Sequence, residues 1–218
     1  MANTSRPFGF KPVRYLSAAV FNGQSELYGF SASMSSNAYK GDVVYFDSTH
    51  RCTGLTDIYV PMVPVVQPAV SALTTNVIRG VITGFTAAPE FNMTATASLG
   101  TLYHPASTAG YVWVVEDPEV VFEAEESGNS YTSITSNAVN KVIDIVYTAG
   151  NQTSGISKVK PDATTVVTNA VKPFRVLRYT QRPDNFNFVA ADTNSYAHLD
   201  LLMNSSDLLG ALPTQEGA

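Results

Sequence analysis

The chain has 218 residues, long enough for one large domain or two small ones and for a sizeable core. Its net charge of −5 argues against the chain as a whole being a nucleic-acid binder. A single cysteine, Cys52, and the lack of any run near the ~20 apolar residues of a membrane helix exclude an intrachain disulfide, a cysteine-based metal site and a helical membrane span.

Charged residues make up only 14% of the chain and hydrophobic ones 44%, so the surface must be covered by small and hydroxyl side chains or by another protein. Together with 14 Gly, 12 Pro and many Thr, Val, Tyr and Phe, this composition predicts an all-β fold rich in turns. The start, Met1 to Pro7, lacks the apolar core of a signal peptide, which predicts a product made and soluble in the cytoplasm.

Residues 1–40 show little periodicity and read as an extended N-terminal arm. Pro7 and Pro12 fix φ and remove donors, while Gly9, Gly23 and Gly29 loosen the path. Phe8, Phe10, Tyr15, Phe21, Tyr28 and Phe30 are spread along it. An arm so rich in rings must lie in a groove of its own domain or of a partner, since each buried ring contributes ~1.5–3 kcal/mol. Arg6, Lys11 and Arg14 precede the first acid, Glu26. The arm is therefore basic on an otherwise acidic chain, either by chance in a short window or to dock on an acidic neighbour.

From Gly41 the pattern becomes regular, and residues 41–205 read as one β domain, a small barrel or sandwich. Gly41–Phe46 is a turn and strand. Tyr59 to Val70 carries Pro61, Pro64 and Pro68 among valines, which suits an edge strand or a surface connection. Val77–Phe85 is β-branched and broken by Gly80 and Gly84, as strands at bends or bulges are. Tyr111–Val115, with Trp113, reads as a core strand, and a turn follows at Asp117-Pro118. Beyond it Val120, Phe122 and Ala124 alternate with Glu119, Glu123 and Glu125, the mark of a strand with one wet face.

Residues 127–164 read as a less regular insertion. Ser133 or Thr135 caps a short helix to about Val142, although Val142–Tyr147 also reads as a strand. Thr164–Val171 and Phe174–Thr180 read as paired strands around Lys172-Pro173, Tyr196–Met203 as the last strand, and residues 206–218 as a tail.

No arrangement of residues points to catalysis, a cofactor or a metal. Six acids fall between Glu116 and Glu126, yet a row of like charges on a strand is usually a solvated or aggregation-blocking face. The functional alternative is an acidic docking face made by Glu119, Glu123 and Glu125. His50, His104 and His198 share no ligand spacing. Nucleophile elbows, phosphate loops and dinucleotide fingerprints are absent. Cys52 follows Arg51 but has no base near it in sequence.

The leader carries a resemblance. Arg6-Pro7-Phe8-Gly9-Phe10-Lys11-Pro12-Val13-Arg14-Tyr15-Leu16, followed by Phe21-Asn22-Gly23-Gln24, resembles the start of a family of tailed-bacteriophage head proteins of the decoration or cement type. The likeness is most specific over the first 24 residues and looser in Gly41–Val44, Gly80–Phe85, Leu102–Val114, Glu116–Glu123 and Gln181–Asn185; the tail departs from it. The resemblance implies a structural virion protein, not an enzyme, that sits on the capsid exterior and bridges major capsid protein subunits. It also implies self-association, with a trimer as one form. Arg6, Phe8, Phe10, Arg14 and Tyr15 are the arm residues expected to touch capsid or a neighbouring copy, and deleting residues 1–24 is expected to leave a folded domain that no longer holds capsids. A tail, portal-vertex or fibre component and a glycan-binding β module are the alternatives.

Overall fold

The computed structural model describes residues 5–47, 64–69, 77–86, 102–128, 138–168, 171–182, 185 and 196–206. These form an all-β fold of antiparallel sheets. In chain order the strands are β1 (Lys11–Tyr15), β2 (Glu26–Phe30), β3 (Ala38–Tyr39), β4 (Val43–Phe46), β5 (Val66–Pro68), β6 (Ile78–Thr86) and β7 (Tyr103–His104). They continue with β8 (Gly110–Val115), β9 (Val120–Glu125), β10 (Val142–Ile143), β11 (Ile145–Val146), β12 (Lys160–Pro161), β13 (Phe174–Tyr179) and β14 (His198–Met203).

One five-stranded sheet runs β2-β8-β6-β4-β5 and the other β1-β9-β14-β13-β10; β3-β7 and β11-β12 are two-stranded. The first sheet buries both faces. Val43, Val81 and Val115 point toward the second sheet, while their neighbours Val44, Ile82 and Val114 point the other way, into a separate cluster with Tyr28, Phe30 and Val66. That second cluster exists because the sheet curls. Its edge strands meet where the Gly29 amide donates to the Pro64 carbonyl at 2.9 Å, beside a parallel bridge from Gly29 to Val65. A single bridge is not a ladder, so the curled sheet stops short of a closed barrel. Gly80 allows the tight curl, since a Cβ there would lie 2.2 Å from the Val115 carbonyl oxygen. The register slips between Ile82 and Gly84, a bulge of the kind the second glycine foreshadows.

The second sheet packs its apolar face, with Phe122, Phe174, Val176, Leu199 and Leu201, on the outside of the curled one. The ring of Phe10 stacks on Phe174 at 4.4 Å and belongs to this core, with 1% of its surface exposed.

The arm is thereby corrected. Residues 11–15 and 26–30 are strands β1 and β2, one in each sheet, and from residue 5 onward the leader lies on its own domain. Pro12 misled because proline suits edge strands, and β1 is an edge of its sheet. The insertion also divides differently. Val142–Val146 is extended as two short strands, broken where the Asp144 carboxylate takes the Ile145 amide and the Lys172 ammonium. The helix start at Ser133 or Thr135 and the tail from Asp207 lie outside the described residues.

Among the described residues, 164–168 and 171 do not pair with Phe174–Tyr179. Asp162 caps a 3-10 turn over Ala163–Thr165, Val167 makes one bridge to Val142, and β13 pairs with β10 and β14 instead. The expected edge strand at Tyr59–Val70 is present in its described part as β5, at the sheet edge.

Candidate functional site: the outer face of the second sheet and its cleft

The side of the second sheet turned away from the core carries charge. Along β9, β14 and β1 the outward positions include Glu123, Glu125, His198, Asp200, Lys11 and Arg14, and β13 adds Arg175 and Arg178. The Asp200 carboxylate is 2% exposed and fully occupied. Its Oδ2 accepts from Arg178 Nε at 2.7 Å and Arg14 Nη2 at 3.2 Å, and its Oδ1 from Thr180 Oγ1 at 2.8 Å. Glu123 Oε1 accepts from Arg182 Nη1 at 2.6 Å and bonds His198 Nδ1 at 2.9 Å. Those bonds, that of His198 first, hold the Glu123 carboxyl below the usual carboxylate range although burial opposes them. Arg178 and Arg182 keep nearly half of their side-chain surface in solvent. Buried carboxylates thus fix guanidiniums that remain partly in solvent.

The expected wet acidic face is overturned. Every residue of β9 is buried, Glu123 and Glu125 included, and only Glu119, in the turn before the strand, is exposed. Alternation places Glu123 and Glu125 on one side of the strand, but that side is covered. Glu125 Oε1 takes Lys160 Nζ at 2.6 Å and Ser5 Oγ at 2.9 Å, while Oε2 takes the Arg6 amide at 2.6 Å. The leader and its neighbours therefore neutralise these acids, and the three glutamates do not form a docking face.

The arm residues separate by environment. Phe10 is core, Tyr15 packs partly on that core and donates to Asn22 Oδ1 at 2.8 Å, and Arg14 is held by Asp200. Phe8 is half-buried with its ring 5.3 Å from His198, and Arg6 is exposed.

Where the leader crosses toward the turn before β4, a cleft of about 390 Å³ opens. Phe8, Phe10, Pro12, Ile82 and Ile156 give it apolar walls. Lys11, Lys40 and Arg182 stand in its lining, with Glu123 as the sole acid there among the described residues. Gly41 makes the crossing: with φ at +91° its carbonyl accepts from the Phe10 amide and its amide donates to the Ile82 carbonyl, each at 2.9 Å. Sequence reasoning missed Lys40, Ile156 and Arg182, which lie far apart in the chain; only Lys11, next to the conspicuous Phe10, was within reach of a pattern.

Next to the cleft, Asp42 is buried in the β3–β4 turn. The Tyr39 amide donates to its Oδ2 at 2.8 Å, and its Oδ1 has no partner among the described residues. Burial pushes the carboxyl up to about 7, with the Ser157 hydroxyl and the Tyr39 amide offsetting only part of that.

The other singled-out residues have structural surroundings. His104 is buried against Phe30, its ring centroid 5.0 Å away, with Nε2 2.8 Å from the Thr108 carbonyl, and burial lowers its pKa. Trp113 is half-buried on β8, opposite Leu27 and Gly84, rather than in the core. His50 and Cys52 lie outside the described residues. Among the described residues no group of three His, Cys, Asp or Glu side chains is placed to hold a metal. Comparison with protein-family models, curated proteins and solved structures found no match.

Proposed function

We propose that this chain is a structural virion protein that binds the outer surface of a phage capsid and ties neighbouring major capsid protein subunits together. The observation that carries the reading is the leader motif, Arg6 to Leu16 with Phe21 to Gln24, which resembles the decoration and cement proteins of tailed-phage heads. The fold suits the role in one respect: the motif is built into a sheet whose outer side holds pre-ordered guanidiniums, so a contact surface exists without ordering a free arm. The protein acts by contact and not by catalysis, and its copies associate with one another on the shell. Each contact is modest, and repetition over a symmetric surface suppresses dissociation.

Co-sedimentation with emptied capsids of the phage that encodes the protein tests this. Saturable binding to the capsid exterior is expected. Binding only to tails or portal vertices would move the protein elsewhere in the virion, and no binding to any virion part would remove the proposal.

A further inference from the structure

We propose that the cleft beside Phe8 is a docking site for an acidic polypeptide segment, one that seats an apolar side chain on the cleft's walls and sets carboxylates against its cationic rim. The inference rests on the reading of this protein as one that lies against other proteins, and it names the contact chemistry.

Three observations converge. The walls are apolar, from Phe8 and Phe10 at the leader to Ile156, which is 42% exposed. An isoleucine left that open beside a half-buried phenylalanine suits a partner that covers both. The lining cations outnumber the acids, and the one acid, Glu123, is already bonded by Arg182 and His198. Lys11 and Lys40 are exposed and have no carboxylate partner among the described residues. A neutral occupant would gain nothing from those hydrated ammonium groups, and a basic one would be repelled. A compact phosphate is a poorer match, because it would leave the apolar walls of Phe8, Phe10, Pro12, Ile82 and Ile156 uncovered. A chain that alternates acidic and large apolar side chains meets both features at once.

The test uses the full chain, isotope-labelled, titrated with the capped peptide Glu-Asp-Phe-Asp-Glu and followed by amide NMR. A Lys-Lys-Phe-Lys-Lys peptide and a short oligothymidylate serve as controls. Shifts clustered on Phe8, Lys11, Lys40 and Ile156 are expected, with affinity falling about tenfold or more in Lys11→Gln/Lys40→Gln and again in Ile156→Glu. Both variants alter exposed side chains, and an unchanged thermal melt would show that they fold. Equal binding of the basic peptide, tighter binding of the oligonucleotide, scattered or absent shifts, or undiminished binding by the folded lysine variant would each overturn the site. The same variants added to emptied capsids separate the two ideas. Wild-type binding with an equally tight lysine variant would discard the cleft and leave the capsid role standing. Peptide binding without capsid binding would retain the cleft and discard that role.

Discussion

Asp42 shows how much one side chain decides. Its carboxyl, raised to about 7 in the folded chain, lies above the ~3.9 of an unfolded aspartate, so the fold favours the protonated form. The stability this gives is complete below about pH 4 and is lost as the pH rises through about 7. Asp42→Asn keeps an acceptor for the Tyr39 amide and needs no ionisation. It is expected to raise stability at pH 8, by up to roughly 4 kcal/mol, and to flatten the melting temperature between pH 4 and 8. Denaturation series at the two pH values check this; a wild-type protein whose stability does not fall over that window would contradict it. Asp200 works in the opposite sense, as the shared acceptor of Arg14, Arg178 and Thr180. Asp200→Ala strands two guanidiniums that are partly in water, so the expected cost is about 1–3 kcal/mol, less than for a fully buried pair. Urea unfolding measures it.

At the scale of elements, β1 is part of the domain and not a strap. Phe10, at its foot, stacks on Phe174, and Lys11 to Tyr15 pair with β9. Phe10→Ala is expected to cost ~3–5 kcal/mol, and deletion of residues 1–24 to leave a chain without cooperative unfolding. A truncated protein with a sharp melt would show that the leader is dispensable for the fold.

The sequence showed β4, β6, β8, β9 and β14 because runs such as Val43-Val44-Tyr45-Phe46 and Val81-Ile82 are β-branched or aromatic and end at turn residues. It hid β1 behind Pro12 and β2 behind Gly29, since local propensity cannot see which edge or partner a strand will find. For the glutamates of β9, period two revealed which side chains share a side but not what covers that side. The cover comes from Ser5, Arg6, Lys160, Arg182 and His198, up to 120 residues away in the chain. The cleft was hidden for the same reason.

As a whole, the molecule is a curled sheet with its own core and a second sheet packed on its outside, so the leader touches both layers. The chain is acidic overall, while the outward side of the second sheet shows Lys11, Arg14, Arg175, Arg178 and Arg182 against Glu123, Glu125 and Asp200. Under the proposed function that asymmetry gives the body a direction, with the cationic side and its cleft toward the partner. Binding to shells is therefore expected to weaken as salt rises from 0.05 to 0.5 M (roughly tenfold or more), because the proposed contact sets exposed charges against the capsid. Salt-independent co-sedimentation would count against the orientation. A cryo-EM reconstruction of the intact particle would decide where the protein sits. This β body is expected on the outside of the head, repeated with the shell's symmetry, with the Lys11–Arg182 side against the capsid surface. Density for it confined to the tail or the portal vertex, or that side turned to solvent, would contradict it.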